Sequence, residues 1–389
     1  MIRGLSVDFV AGGWEPVRDL FLQNLENGLD RGAGISVWHR GKCVVDLMGG
    51  YRDKNGETAY GPDTLQLVFS TSKGVTALCV AMCVERGLLD YSEKVSRYWP
   101  EFAAHGKQDI TVAQLMSHRA GLYTVEPPTT LDDACDWETI TGRLADTKPY
   151  FAPDSTHGYH ALTYGWLAGE LVRRVSGMSM ADFVQENVSK PLGIELWMGL
   201  PEEHEHRVAH LMAHPIPSFP PEQAAFMMKF GGPGSEGDKA LSLQGAFGPG
   251  AFNKRQTHAA TIPGANCITT ARALGKVYAA TIGEVDGVRL VTDETLAKAI
   301  TSNTPEGEAD VVLGHPTVFG MGYMLHSSRN PYAGPGSFGH DGAGGSVACA
   351  NQGRQLAVSY VMNTMLTTFE EDPRRAGYLR AAVSCSENV

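Results

Sequence analysis

The sequence predicts an α+β fold in which one antiparallel sheet, flanked by helices, is interrupted by an inserted all-helical domain. Three observations carry this expectation. Strand signals gather near both ends of the 389-residue chain, helices and Pro/Gly-rich loops fill the middle, and one helix is apolar on almost every side. A helix of that last kind belongs in the centre of a protein.

In chain order, residues 17–29 have the spacing of an amphipathic helix. A hairpin signal follows, with strands at 34–39 and 43–47 around a turn at Arg40-Gly41-Lys42. Residues 70–86 form the apolar helix, which Gly87 stops. Between residues 88 and 280 the best helices are 111–116 and 164–175, and 215–250 reads as a long irregular excursion. Strands return at 317–325, 345–350 and 355–362, and 373–383 closes the chain as a helix. The expected organisation is a sheet domain built from residues 1–87 and 281–389, a mostly helical domain at 88–280, and a site in the cleft between them.

Composition narrows the function. Hydrophobic residues make up 43% and charged residues 19%, so the chain buries a core and is not disordered. A formal net charge of −11 repels phosphate backbones and anionic lipid, which argues against nucleic-acid or membrane-surface partners. No apolar run approaches the roughly 20 residues of a membrane span. Acid arrives at Asp8, too early for a secretory signal, and the expected compartment is the cytoplasm. The seven cysteines are scattered and contain no Cys-x-x-Cys pair, which fits a reducing environment; Cys79 and Cys83 read as buried thiols on one helix face.

The chemistry concentrates in three segments. Ser70-Thr71-Ser72-Lys73 is the only Ser-x-x-Lys in the chain and opens the apolar helix. Residues three apart on a helix share a face, so Lys73 sits beside the Ser70 hydroxyl. A serine needs an adjacent base, and an apolar setting lowers a lysine pKa enough to make a neutral amine available. The helix start adds a backbone N–H for an oxyanion. The plainer reading is a helix-capping serine and a solvated lysine. Against it, a central apolar helix rarely carries a lysine idly.

The second segment is the loop 151–160, where Tyr159 precedes a helix and can aim its phenol at a nucleophile. A charged Lys73 would favour its phenolate as a base or proton shuttle. Packing is the alternative role, and Tyr164 is a rival inside the helix. The third is Phe338-Gly339-His340-Asp341-Gly342-Ala343-Gly344-Gly345-Ser346. Glycines beside a strand, Gly342 among them, let substrate approach the backbone, and the Ala343 amide can serve as second oxyanion donor. His340 can bind a carboxylate or polarise a leaving group, titrating near neutrality. A plain glycine-rich turn is the competing reading.

Taken together and in this order, the segments resemble the serine β-lactamase and penicillin-binding-protein superfamily, in the class C β-lactamase-like branch and most closely the family VIII carboxylesterases. Residues 110–122, Ile262-Pro263-Gly264-Ala265-Asn266 and Phe319-Gly320-Met321-Gly322-Tyr323 extend the likeness across residues 34–362. The resemblance implies the β-lactamase/DD-peptidase-like fold and a cofactor-free double displacement. In that scheme Ser70 is acylated, Lys73 and Tyr159 move the proton, and the Ser70 and Ala343 amides hold the oxyanion. Two departures matter. Ala161 stands where class C enzymes have the asparagine of Tyr-x-Asn, and His340-Asp341-Gly342 replaces Lys-Thr-Gly. Losing an amide ligand and a permanent cation points away from β-lactams. The expected substrates are carboxylic esters of small to medium acyl chains. A β-lactamase, a D-amino-acid peptidase or amidase, an acyltransferase, and a catalytically dead acyl-binding member remain alternatives.

Other signals are set aside. Gly177-Met178-Ser179-Met180-Ala181 and Gly344-Gly345-Ser346-Val347-Ala348 both fail the lipase-type Gly-x-Ser-x-Gly elbow at its last position. His204, His206, His210 and His214 lack a carboxylate pattern, so a surface or cleft helix is expected there and not a metal site. Acidic residues 370–372 read as a solvated face or as helix N-terminal charges. Trp137, Trp166, Phe226 and Phe252 are candidates for an acyl pocket or for core, with specificity lying in loops 123–131 and 215–250.

Overall fold

A computed structural model describes residues 5–389. Seven antiparallel strands form the main sheet: β1 (Leu5–Val10), β2 (Gly32–His39), β3 (Lys42–Gly50), β4 (Met324–Leu325), β5 (Ser337–Asp341), β6 (Val347–Asn351) and β7 (Leu356–Met362). Their order is β1-β3-β2-β7-β6-β5-β4. The seam between β2 and β7, from Ala33 opposite Met362 to His39 opposite Leu356, joins the two chain-distant halves. Both of those strands are buried along their whole length, because helices cover both faces. On one side lie α1 (Glu15–Glu26) and the C-terminal helix α5 (Pro373–Asn388).

The central helix α2 (Ser72–Glu85) is buried from Ser72 through Cys83. It packs against α3 (Thr163–Ser176), the main helix of the inserted region. Helix α4 (Ala271–Ile282) covers the other face of the sheet, with Gly275 against the Trp38 ring and the Ala271 carbonyl accepting from Ser359. The boundary expected at residue 280 falls inside α4. The buried stripe of that helix faces β2, β6 and β7, so the whole helix packs on the sheet.

Other expectations shift for identifiable reasons. The strand expected over 317–325 shortens to β4, since Gly320 and Gly322 bend the chain into a tight turn where the Gly322 amide bonds the Gly320 carbonyl. The excursion 215–250 contains two helices, Pro221–Gly231 and Glu236–Ser242, the latter capped by Ser235. No helix runs through the histidine cluster. His204 and His206 lie in a short 3₁₀ segment, Glu202–Arg207, and the chain then extends past His210. His204 is spent on the Trp197 ring and on Arg207. Among the described residues, no helix is long and apolar enough to cross a membrane.

A buried charge network ties α5 to the sheet. Arg374 is fully buried and pairs with Asp30 at 3.0 Å and Asp372 at 2.7 Å, while donating to the carbonyls of Thr364 and Gly344. Asp372 also caps α5 by accepting from the Arg374 amide. Removing one partner of such a network strands the opposite charge in low dielectric. Arg374→Met is therefore expected to cost about 3–5 kcal/mol of stability in denaturant-induced unfolding.

Candidate active site

Ser70 lies in the single 3₁₀ turn Phe69–Thr71 that leads directly into α2. Lys73, in the first turn of α2, is completely buried, and its Nζ lies 2.9 Å from the Ser70 Oγ. That nitrogen also donates to the backbone carbonyls of Ala161 at 2.5 Å and Gly264 at 2.7 Å. A neutral amine has two N–H bonds and one lone pair. With both N–H groups taken by carbonyls, the lone pair is left for the serine proton. Burial holds the amine well below its ordinary pKa, although the Asp341 charge opposes the shift.

Both carbonyls come from segments pressed together by small residues. A Cβ at Gly165 would fall 1.9 Å from the Gly264 amide nitrogen, so only glycine permits this approach of α3 to the 262–266 loop. Ala161, which lacks the side chain of the class C asparagine, contributes its main chain instead. Position 161 therefore looks after the lysine whatever side chain it carries.

Tyr159 closes the third side. The Lys73 Nζ sits 4.9 Å from its ring centroid, and Ser70 is within hydrogen-bonding reach of its hydroxyl. Burial pushes the phenol above its ordinary value, and the Ser70 hydrogen bond only partly offsets this. The phenolate expected beside a charged lysine therefore does not form, because the low-dielectric setting favours the neutral state of both groups. Tyr164 is buried inside α3, away from the cleft, as its helical position suggested.

The glycine-rich turn follows β5 on the far side of Ser70. Ser70, Tyr159, His340, Gly342 and Ala343 line one cleft of about 620 Å³. Ser346 fastens the turn to the serine segment, donating to the Val68 carbonyl and lying 3.1 Å from the Thr71 hydroxyl. Gly344 has φ 84°, and its carbonyl accepts from Arg374.

His340 differs from expectation. Burial lowers its pKa to about 4, with Lys73 adding to the effect, so the ring is neutral at physiological pH. Its Nδ1 lies 2.7 Å from the Asp341 carbonyl, which only accepts, so Nδ1 carries the proton and Nε2 is an acceptor. Nε2 is buried without a partner. A neutral ring whose free nitrogen is an acceptor gives a carboxylate neither a charge nor a donor, unlike the carboxylate-binding histidine expected from the sequence. Neighbouring Asp341 is held by Arg375 at 2.6 Å and by the Tyr332 hydroxyl; burial opposes its ionisation, but Arg375 overcomes that and keeps the carboxyl below its usual range.

The cleft walls are largely apolar, with Leu241, Leu313, Met324, Met365, Leu366 and Phe369. Of the four aromatic candidates, Trp166 is core and Trp137 donates to Glu170. Phe252 meets the Phe69 ring, and Phe226 reaches the cleft only through Phe369. Sequence reasoning missed the two carbonyls on Lys73 and the arginines behind the glycine turn. Main-chain acceptors have no sequence signature, and Arg374 and Arg375 look like ordinary surface-helix residues.

A serine beside a buried amine at the start of a central helix, next to an antiparallel sheet, is the arrangement of the serine β-lactamase-like hydrolases. The β-lactamase family model matches residues 21–382, and this chain belongs to that family. It is 33% identical to the esterase/β-lactamase LipL of Mycobacterium tuberculosis over 86% of this chain and 78% of LipL. Among solved structures, a family VIII carboxylesterase superposes with a TM-score of 0.86 at 34% identity, covering 97% of this chain and 98% of that one. EstA from Arthrobacter nitroguajacolicus Rue61a gives 0.87 at 32%, covering 98% and 99%. A penicillin-binding-protein homologue from Caulobacter crescentus gives 0.85 at 35%, covering 98% and 100%.

One prediction concerns protonation. In an NMR titration the His340 ring signal is expected to move only as the pH falls toward about 4, because the ring stays neutral above that value. A midpoint near the ordinary histidine pKa contradicts the burial argument.

Proposed function

We propose that the protein is a carboxylesterase that hydrolyses esters of small to medium acyl chains through a Ser70 acyl-enzyme. The observation that carries the reading is the Lys73 nitrogen, buried, doubly bound by carbonyls and 2.9 Å from the Ser70 hydroxyl. Ser70 Oγ attacks the ester carbonyl carbon while its proton passes to Lys73. The negative oxygen is received by the Ser70 and Ala343 amides. Collapse of the tetrahedral intermediate breaks the bond to the alkoxy oxygen, which takes a proton from the Tyr159 hydroxyl as Lys73 returns one to Tyr159. Water then attacks the acyl-enzyme with the same groups in reverse, releasing the acid and restoring Ser70.

Esters are favoured over β-lactams on electrostatic grounds. His340 supplies no cation, and the adjoining wall carries Asp341, Glu370 and Glu371. Arg375, the cation of that wall beside the turn, is already paired with Asp341 and Glu371, so the turn presents no unpaired positive charge to an anionic substrate, and Arg329 is the further cation of the wall. The apolar walls opposite suit an acyl chain. The similarity to relatives named as esterases supports the same reading. Seven free cysteines support a cytoplasmic setting, and the net charge of −11 supports a small-molecule ester as partner in preference to nucleic acid or a membrane surface.

Intact-protein mass spectrometry with a panel of esters and cephalosporins tests the proposal. The expected result is an acyl adduct and a product burst with chromogenic esters, both absent in Ser70→Ala. Unchanged turnover in that variant refutes it, and faster turnover of cephalosporins than of esters assigns the site to β-lactam hydrolysis. Lys73→Arg, whose guanidinium cannot give up its proton to serve as a base, is expected to lower kcat/KM at least about 10³-fold.

A further inference from the structure

His118 is a fully buried residue in the loop after the short helix Val112–Met116. Its backbone has φ 64°, a left-handed conformation that a histidine adopts only at a cost. The strained residue makes two hydrogen bonds that bracket Tyr159. Its carbonyl accepts from the Gly158 amide at 3.0 Å, and its Nδ1 accepts from the His160 amide at 3.1 Å. The Tyr159 amide between them donates to Asp310 at 3.0 Å, so three consecutive amides are tied down.

The ring completes the arrangement. Its centroid lies 5.1 Å from that of Tyr159 and 4.4 Å from that of Phe319, which itself stacks on Tyr159 with an interplanar angle of 10°. Because Nδ1 accepts from an amide, His118 is a neutral imidazole with its proton on Nε2. Burial, reinforced by His160, keeps it in that state.

We infer that His118 is a positioning residue for Tyr159, holding the phenol where it can deliver a proton to the leaving alcohol. The inference rests on the esterase reading and assigns His118 no contact with substrate. A phenol on a loop otherwise samples several rotamers, and proton transfer tolerates little displacement. The backbone strain at His118 is then retained because its carbonyl and its imidazole must reach the two flanking amides together.

The test exploits leaving groups. A 4-nitrophenyl ester releases a stable anion and needs little proton delivery, whereas the ethyl ester of the same acid expels an alkoxide that must be protonated. His118→Leu keeps much of the volume but removes the acceptor. It is expected to lower kcat/KM for the ethyl ester about tenfold more than for the nitrophenyl ester, part of the general-acid contribution. His118→Asn, whose side-chain oxygen can replace Nδ1 and which tolerates the left-handed backbone, is expected to hold that ratio within about twofold of the parent. In a Tyr159→Phe background the leucine change should leave the ratio unaltered.

Equal losses on both esters in His118→Leu overturn the inference, as does an asparagine variant that shifts the ratio as far as the leucine one. If the leucine variant does not fold, His118→Gly, suited to φ 64°, replaces it with the same expected ratio. Failure of the esterase reading is seen separately, as turnover that survives Ser70→Ala.

Discussion

The arrangement around Ser70 depends on where the Lys73 nitrogen spends its hydrogens. A buried amine without a carboxylate partner is costly when charged, and here the surrounding dipoles are two carbonyls and a hydroxyl. Two N–H groups satisfied by carbonyls leave a lone pair with one place to point. Burial thus both lowers the pKa of the amine and aims its lone pair, and the two effects have the same origin. Had a carboxylate stood in place of either carbonyl, the ammonium would be favoured and the serine would face a spent base.

That constraint spreads outward through packing. The Gly264 carbonyl reaches Lys73 because α3 approaches the 262–266 loop at a glycine, and the Ala161 carbonyl reaches it because the chain before α3 turns inward after Tyr159. From the other side, Ser346 pins the glycine turn to the serine segment, and Arg374 holds the Gly344 carbonyl from inside a buried ion network. The glycine turn therefore rests on α5 and on Asp30 in the loop after α1, far along the chain from Ser70. Rigid secondary elements, not loops alone, set the distances on which preorganised electrostatics depends.

The charge states of the site follow from the same low dielectric. Lys73, Tyr159, His118, His160 and His340 all shift toward their neutral forms, each chiefly through burial. Asp341, paired with Arg375, is held below the usual carboxylate range beside them, and the remaining charged residues of the cleft stand further along the wall, at Arg329 and residues 370–372. A site of neutral donors and acceptors suits substrates without formal charge, which is the electrostatic difference between this cleft and one built around a lysine in the third motif.

How much of this was legible in the sequence depended on whether a feature was local. Ser70 and Lys73 could be paired because a single helical turn fixes their separation, and the α+β layout could be read because hydrophobic period and turn residues are local signals. The same logic located the glycine turn and the helix after Tyr159. It left most of α4 on the helical side of the boundary at residue 280, since composition along the chain does not say which surface a segment packs against. It also gave His340 an ordinary pKa, because burial is not a property of neighbouring residues in sequence. The tertiary structure alone decided the carbonyls on Lys73, the neutral state of His340 and the His118 bonds on either side of Tyr159. Each is a contact or a solvent exclusion between segments far apart along the chain, and no pattern of side chains within one segment encodes where another segment's backbone will lie.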